Sequence, residues 1–362
     1  MINIKNHTYL SALPSLIRRP PDESYEDLKK EYDGSSAPNS DVNMDTAILN
    51  YPQLLAVELP ERKLLLPWLP EGGLAMVAAE RGIGKTHFAL SLATALSNGS
   101  SFMHWPIEKA TGVLYVDGEM ALTDIRNRLK VFAPDPLSQS LSILSHEWFY
   151  KQFERDLKIS DQDIQSALLK KLEANIQLRV LILDNLSSLT QIREDKSDDW
   201  RQCMLPFLIQ CRRRGIAVVI VHHCGKSGDQ RGTGAREDHL DTSIKLTRTK
   251  DNTHAMGCSF QVTFTKARSC YGETIAPYIA TLQTSTSAAT WEISMVKEST
   301  KDKLINLVMA RGDKGINVTH TAYELGLTKG MISRLKKQCE KEGILQSSPR
   351  KNPMRIATDW KK

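Results

Sequence analysis

A glycine-containing turn followed by lysine and threonine is the stretch whose residue types could bind a phosphate. An apolar run, Leu74–Ala79, predicts a buried strand before the turn, and a helix is predicted to begin near Lys85. Gly82 and Gly84 would let backbone N–H groups point inward at a phosphate, and the helix start adds partial positive charge. The pattern is typical of a phosphate-binding loop, with Ala79 in place of its first glycine. The predicted nucleotide-binding residues are Arg81, Gly82, Ile83, Gly84, Lys85, Thr86 and His87.

The Lys-Thr pair and a second strand predict the ligand of this loop. Lys85 is placed to reach the β- and γ-phosphates, and Thr86 to bind Mg²⁺ through its hydroxyl. Farther along the chain, the apolar run Val180–Asp184 ends in a carboxylate. A carboxylate in that place binds Mg²⁺, usually through water. We therefore expect ATP and Mg²⁺ as cofactors, with Thr86 and Asp184 at the metal.

Two carboxylates at the end of the predicted strand Gly112–Asp117 are candidates for acid–base chemistry. Glu119 lies just past the strand, where a carboxylate can orient and deprotonate an attacking water. We predict Glu119 as the general base, with Asp117 as the alternative. Because ligands bind at the carboxyl ends of the strands in an open α/β sheet, both carboxylates are expected near the phosphate loop.

Two histidines lie at the end of the predicted strand Ala217–His222: His222 is its last residue and His223 follows it. A histidine at the tip of this strand can sense the γ-phosphate and pass its state to the following loop. We predict His223 for this role, with His222 as the alternative. A zinc site is the competing interpretation, but no His or Cys partner lies at ligand spacing.

The loop at residues 225–236 holds four glycines and three cations. One interpretation is that it binds a DNA backbone through Lys226 and Arg236. The other is that it presents an arginine, Arg231 or Arg236, to the nucleotide of a neighbouring subunit.

Alternating strand-like and helix-like runs, from Leu54 to about Lys297, must position these side chains. The predicted strands are Leu74–Ala79, Gly112–Asp117, Leu141–Ser145, Val180–Asp184 and Ala217–His222, with helices such as Ile164–Ile176 and Arg201–Arg213 between them. Short apolar strands separated by helices indicate a parallel sheet buried on both faces. Apolar–polar alternation then predicts antiparallel strands at Ser243–Arg248, Ser259–Lys266 and Thr290–Ser294. The predicted fold class is α/β, with a mostly parallel sheet and antiparallel C-terminal strands.

Composition limits the class of protein. The chain has 362 residues, of which 41% are hydrophobic and 25% charged, as in a soluble globular protein. No apolar run is long enough to span a membrane, and the first residues contain no signal-peptide core. The six cysteines form no CxxC pair, which is typical of reduced thiols. We expect a cytoplasmic protein without a membrane partner.

The positive charge is concentrated at the C-terminus. Residues 301–362 hold 14 basic and 6 acidic residues, whereas the rest of the chain is slightly acidic, and the net charge is +6. Such an excess indicates contact with a nucleic acid, and a solvated basic face is the alternative. The pattern here predicts helices over Lys301–Ala310 and Val318–Leu325, a third helix from its cap Thr328 to Glu342, and a hairpin that ends at Met354–Ile356.

The motifs together resemble RecA-type ATPases and, more narrowly, the RepA-like hexameric replicative helicases of plasmids and mobile elements, relatives of the DnaB core. The resemblance covers roughly residues 60–296 and is carried by Gly82-Ile83-Gly84-Lys85-Thr86, Asp117-Gly118-Glu119-Met120, Leu183-Asp184-Asn185, His222-His223-Cys224-Gly225-Lys226 and Arg231-Gly232-Thr233. It implies a RecA-like P-loop core with the roles given above for Lys85, Thr86, Glu119, Asp184 and His223. It also implies a trans-acting arginine beyond Arg231-Gly232-Thr233, although residues 237–241 contain none.

The C-terminal elements resemble a winged helix-turn-helix, and residues 325–335 carry the resemblance. If the module binds DNA, its third helix enters the major groove and the wing contacts phosphates. The residues that would face DNA are then Lys329, Ser333, Arg334 and Lys337 on the helix and Arg350 and Lys351 on the wing. The alternative is a winged helix used for protein contacts or subunit packing.

These observations predict three regions and one main function. The regions are a flexible extension over 1–50, a RecA-like ATPase domain over 51–298 and a winged helix-turn-helix domain over 299–362. The predicted function is that of an ATP-dependent DNA helicase of a mobile element, which translocates on single-stranded DNA as a homo-oligomer, expected to be a hexameric ring. The alternative is an ATP-switched DNA-binding regulator or loader without unwinding activity.

Overall fold

A computed structural model provides the coordinates of the chain. It describes residues 44–59, 61–133, 140–191, 197–223, 237–249, 258–284, 288–296, 299–311, 317–347 and 354–357. Several predicted features lie outside these residues: residues 1–43 of the predicted extension over 1–50, the loop with Lys226, Arg231 and Arg236, and the wing residues Arg350 and Lys351.

Residues up to Glu61 form a unit of their own, and a second unit begins at Arg62. The described part of the first unit contains a 3-10 turn at Met44–Thr46 and helix α1 at Tyr51–Ala56. Asn50 begins this helix with a capping box, in which its side chain and that of Gln53 each accept the other's backbone N–H.

The second unit is built on one large sheet. Its strands are β3 (Leu74–Ala79), β4 (Gly112–Asp117), β5 (Leu141–Ser145), β6 (Leu178–Asp184), β7 (Ala217–His223), β8 (Thr242–Arg248), β9 (Ser259–Ala267), β10 (Tyr278–Thr284) and β11 (Ala289–Met295), and a small pair, β1 (Leu64–Leu66) and β2 (Leu69–Pro70), precedes it. The order across the described sheet is β11-β10-β9-β8-β3-β7-β6-β4-β5. The strands from β8 to β5 in this order are parallel, and β9, β10 and β11 add antiparallel pairs. This confirms the predicted α/β class with antiparallel C-terminal strands.

Helices cover both faces of the sheet. They are α2 (Lys85–Asn98), α3 (Leu122–Phe132), α4 (His146–Phe153), α5 (Gln162–Ala174), α6 (Leu186–Leu189) and α7 (Leu205–Arg213). Alternate residues of β3 enter two different apolar clusters: Ala75 and Val77 join the cluster that contains α2, whereas Leu74 and Met76 join the one that contains α5 and α7. Burial on both faces explains why the parallel strands are unbroken apolar runs.

One predicted helix differs in its first turn. The pattern predicts a helix over Arg201–Arg213, but residues Trp200–Met204 form a π-helical turn and the α-helix begins at Leu205. Pro206 has no N–H to donate to the preceding turn, which removes one regular helical hydrogen bond at this place.

The C-terminal segment has its own apolar cluster. Its elements are α8 (Thr300–Arg311), α9 (Val318–Glu324), α10 (Lys329–Lys341), β12 (Leu345–Ser347) and β13 (Met354–Ile356). The side chain of Thr328 accepts the N–H of Met331 and caps α10, as predicted. Gly343 follows the helix with a φ of 71°, a backbone conformation that favours glycine.

Candidate nucleotide-binding site

The turn between β3 and α2 has the backbone that a phosphate-binding loop requires. Gly82 and Gly84 have φ values of 75° and 116°, and Gly84 is the N-cap of α2. A Cβ on Gly84 would lie 2.1 Å from the sulfur of Cys258, so a larger residue would displace that side chain, and the positive φ itself favours glycine. Ala79 is instead the last residue of β3, buried between neighbouring strands. A small apolar side chain therefore fits where the usual pattern has its first glycine.

The side chain of Lys85 is hydrogen-bonded to the backbone at the start of this turn. Its side chain is 5% exposed, and its ammonium donates to the carbonyl oxygens of Ala79, at 2.9 Å, and Glu80, at 2.6 Å. A buried cation costs free energy unless it is paired with acceptors. An anionic phosphate at this place would add negative charge beside the ammonium of Lys85.

Asp184 lies at the end of β6, next to the start of α2. Its carboxylate accepts hydrogen bonds from the hydroxyls of Thr86 and Tyr115, and the bond from Tyr115 is 2.6 Å long. Burial raises the pKa of Asp184, and these hydrogen bonds and Lys85 oppose the rise. Carboxylate and hydroxyl oxygens are the donors that Mg²⁺ prefers, so Thr86 and Asp184 fit the predicted metal.

Glu119 follows the end of β4, and its carboxylate points toward the phosphate-binding turn and Asp184. The side chain is 64% exposed, and the amide of Asn185 donates to its Oε2. Nε2 of His223 lies 3.7 Å from the same oxygen. Burial lowers the pKa of His223, and the charge of Lys85 adds to this effect, so the imidazole is neutral at neutral pH.

The geometry bears on both choices that the sequence left open, that of the general base and that of the γ-phosphate sensor. Asp117 is 1% exposed and accepts the backbone N–H groups of Glu119 and Met120, so it holds the turn that carries Glu119. This favours Glu119 as the general base. His222 is buried within the sheet beside β3, whereas His223 reaches Glu119, which favours His223 as the sensor.

These side chains surround one cavity of about 840 Å³, a volume suited to a nucleotide. The predicted residues that line it are Arg81, Gly82, Ile83, Gly84, Lys85, Thr86, His87, Glu119, Asp184 and His223, together with Asp117. Lining residues that the sequence did not indicate include Asn185, Arg128, Cys258, Leu282 and Thr284. The meeting of the predicted residues follows from the strand order, because β3, β7, β6 and β4 are adjacent and parallel.

Arg128 is a cation of the site that sequence reasoning missed. It lies on α3 and lines the cavity, and within the described residues it forms no ion pair. Burial lowers the pKa of His87 to about 4, and the charge of Arg128 contributes to this shift. The sequence feature that could have indicated Arg128 is its position on the helix that follows the Glu119 turn.

Comparison with known proteins identifies the class. A family model described as AAA domain matches residues 49–229, half of the chain. The chain belongs to this family, and its site is that of a P-loop ATPase. The sequence matches none of the curated proteins with which it was compared.

Two solved structures are similar to part of this chain. A KaiC-like protein from Pyrococcus horikoshii OT3 is 16% identical with a TM-score of 0.44, and the match covers 63% of this chain and 93% of that one. The flagellar accessory protein FlaH from Methanocaldococcus jannaschii is 14% identical with a TM-score of 0.42, and the match covers 62% and 92%. No conclusion about function follows from either likeness. In the described part of the chain, no helix combines the length and apolarity needed to cross a membrane.

Proposed function

We propose that this protein is an ATP-driven DNA motor, an oligomeric replicative helicase of the RepA-like type from a mobile element. The observation that carries the proposal is the meeting of five side chains from neighbouring strands and loops around one cavity: Lys85, Thr86, Glu119, Asp184 and His223. This set supplies a phosphate cation, metal-binding oxygens, an exposed carboxylate and a neutral imidazole. The cation, the metal-binding oxygens and the carboxylate are groups that hydrolysis of a γ-phosphate uses.

Hydrolysis follows from the position of each group. The N–H groups of the loop and the ammonium of Lys85 are placed to bind the phosphates, and Thr86 and Asp184 would hold Mg²⁺. At that place the metal would supply positive charge to the phosphate oxygens. Glu119, exposed to the cavity, orients a water and takes its proton.

His223 is proposed to connect this chemistry to DNA. It is neutral, lies 3.7 Å from Glu119 and is the last residue of β7. The chain continues directly into the loop with Lys226 and Arg236, which we propose binds the backbone of single-stranded DNA. Loss of the γ-phosphate would then change the contacts of His223 and the position of the loop.

The C-terminal elements are proposed to be a winged helix that binds duplex DNA. Lys329, Arg334 and Lys337 are exposed on α10, whereas Lys336 is buried and pairs with Glu340 at 3.8 Å. The exposed cations therefore mark one accessible basic face on this helix. Arg350 and Lys351 of the proposed wing would add phosphate contacts.

Arg268 is proposed as a further candidate, in addition to Arg231 and Arg236, for the cation that a neighbouring subunit would supply to the nucleotide. Strand β9 runs antiparallel to β8, and Ala267 at its end pairs with Thr242 at the start of β8. Arg268 therefore lies near the ends of the strands opposite to those that carry the phosphate loop. The distance from Arg268 to the phosphate loop of its own subunit is roughly 15 Å. Its guanidinium donates to the carbonyl oxygen of Asp238 and does not reach the nucleotide site of its own subunit, so any nucleotide that it contacts would be bound to another subunit.

Steady-state ATP hydrolysis, measured with and without single-stranded DNA, tests the proposal. The variants are Glu119→Gln and, as a matched control, Glu108→Gln, since Glu108 is exposed and does not line the cavity. We expect stimulation by single strands in the wild type and the control, and loss of turnover in Glu119→Gln by about 10²-fold or more. Hydrolysis that ignores single strands but responds to duplex DNA would instead favour an ATP-switched regulator or loader.

A further inference from the structure

Tyr115 makes a polar contact that its position in the core does not require. It lies within β4, an otherwise aliphatic strand that ends in Asp117, and its ring joins the apolar cluster beneath α2. Its hydroxyl donates a 2.6 Å hydrogen bond to Oδ2 of Asp184. The register of β4 and β6, in which Tyr115 pairs with Ile182, aligns the phenol along the sheet toward the end of β6.

We propose that Tyr115 is a positioning residue for Mg²⁺ binding, which acts by fixing the carboxylate of Asp184. The inference rests on the proposed ATPase function, in which Asp184 and Thr86 hold the metal. It adds a residue that contacts neither the nucleotide nor the metal, and that no motif in the sequence indicates.

Because both residues are buried, the orientation of the Asp184 carboxylate depends on this contact. Tyr115 is fully buried and Asp184 is 3% exposed, so bulk water cannot replace the phenol as a donor. Thr86 contacts the same carboxylate from the side of the phosphate loop. The carboxylate is therefore held between a hydroxyl on the cavity side and one on the core side, which restricts its rotation and directs its remaining lone pairs toward the cavity.

The hydroxyl is not explained by packing alone. A phenylalanine would fill the same apolar space without a polar group that costs free energy to bury. Tyr278 provides the comparison inside the same cluster: it is equally buried, but its hydroxyl contacts the sulfur of Met103. Tyr278→Phe is therefore a matched control that removes a buried phenol without touching Asp184.

The experiment measures metal binding directly. Mn²⁺ serves as the probe, and electron paramagnetic resonance gives its affinity for the full-length protein in the presence of ADP. Binding of a fluorescent ADP analogue without metal is measured in parallel. We expect Tyr115→Phe to weaken Mn²⁺ binding about tenfold and to leave metal-free nucleotide binding unchanged. Hydrolysis in this variant should recover as Mg²⁺ is raised, which a general folding defect would not allow.

A double variant tests the route of the effect. If Tyr115 acts through Asp184, Tyr115→Phe has no further effect on Mn²⁺ affinity in an Asp184→Asn background, whereas the separate effects of unrelated positions would add. A Tyr115→Phe protein that binds Mn²⁺ as tightly as the wild type and Tyr278→Phe would overturn the inference and leave the proposed function intact. A wild type whose nucleotide binding shows no metal dependence would overturn both.

Discussion

The amide of Asn185 donates a hydrogen bond to Oε2 of Glu119, and the two residues follow neighbouring strands 66 positions apart in the sequence. Asn185 is itself fixed, because its Oδ1 accepts hydrogen bonds from the backbone N–H and the hydroxyl of Ser188. The exposed carboxylate of Glu119 is thus held in place through Oε2, and its Oε1 is left for water. The position of the proposed base depends on a residue that takes no proton.

Replacing Asn185 by alanine should therefore slow the chemical step. We expect Asn185→Ala to lower kcat about tenfold with little change in KM for ATP, because the base keeps its chemistry but loses its orientation. Steady-state kinetics at saturating Mg²⁺ check this. Ser188→Ala should have a smaller effect, since the backbone N–H of Ser188 still donates to Oδ1 of Asn185 in that variant. A rise in KM alone would show that Asn185 contributes to nucleotide binding instead.

The buried carboxylate of Asp117 predicts an unusual pH dependence of stability. Burial raises its pKa from 3.8 to about 6 in the folded protein. A carboxyl group whose pKa is raised on folding favours the folded state at low pH, and this contribution is lost as the pH rises through the folded pKa. By this reasoning Asp117 lowers the free energy of unfolding at about pH 8 by about 1–3 kcal/mol relative to an uncharged group.

Asp117→Asn tests the sign of this effect. The asparagine Oδ1 can still accept the N–H groups of Glu119 and Met120, so we expect a more stable protein at about pH 8 and no advantage at about pH 4. Thermal unfolding across this range gives the comparison. Asp163→Asn should behave in the opposite way, because Arg155 lowers the pKa of Asp163 and its contribution is present at high pH. If wild type and Asp117→Asn have the same thermal stability at every pH, the charge of Asp117 does not destabilise the folded protein at high pH.

The elements that carry the site were predictable from local sequence, and their contacts were not. Strand β3 and the turn after it were predicted because an apolar run buried on both faces and a glycine pair are local signals. The bonds from Tyr115 to Asp184 and from Asn185 to Glu119 depend on β4 lying beside β6. Strand order is a property of the whole chain, so no short pattern indicates it.

The unpredicted strand β10 shows a different limit. Its residues alternate between the core, with Tyr278 and Leu282 buried, and the surface, where Thr281 and Gln283 are accessible. The period of two was present in the sequence, but a short half-polar strand between turns is easily taken for loop. Packing of its buried face against β9 and β11 decides the outcome.

Arg128 should contribute to nucleotide affinity. Its guanidinium lines the cavity and forms no ion pair within the described residues, so a bound phosphate would be its counter-charge. We expect Arg128→Ala to raise KM for ATP about tenfold and Arg126→Ala to have no effect, since Arg126 is exposed on the opposite side of α3. Nucleotide titrations at two salt concentrations check this. An unchanged KM in Arg128→Ala would exclude it from the binding site.

Arg268 should act on a neighbouring subunit. We expect Arg268→Ala to lower hydrolysis by about 10³-fold, whereas Arg248→Ala, at the end of β8, should have a small effect. Mixing Arg268→Ala subunits with Lys85→Ala subunits should restore part of the activity. In a mixed assembly, some sites combine an intact Lys85 with the intact Arg268 of the next subunit. If mixing restores nothing, Arg268 does not complete a neighbour's site.

Lys337 and Lys336 differ in their surroundings and should differ in their roles. Lys337 is exposed on α10, so we expect Lys337→Ala to weaken duplex binding uniformly across sequences and to reduce the salt dependence by about one phosphate contact. Lys336 is buried and pairs with Glu340, so Lys336→Ala should lower thermal stability while DNA affinity per folded molecule is preserved. Fluorescence anisotropy across a salt series, together with thermal unfolding, separates the two effects. If Lys337→Ala leaves duplex affinity and its salt slope unchanged, α10 does not contact DNA, and its basic face is then available for packing between subunits.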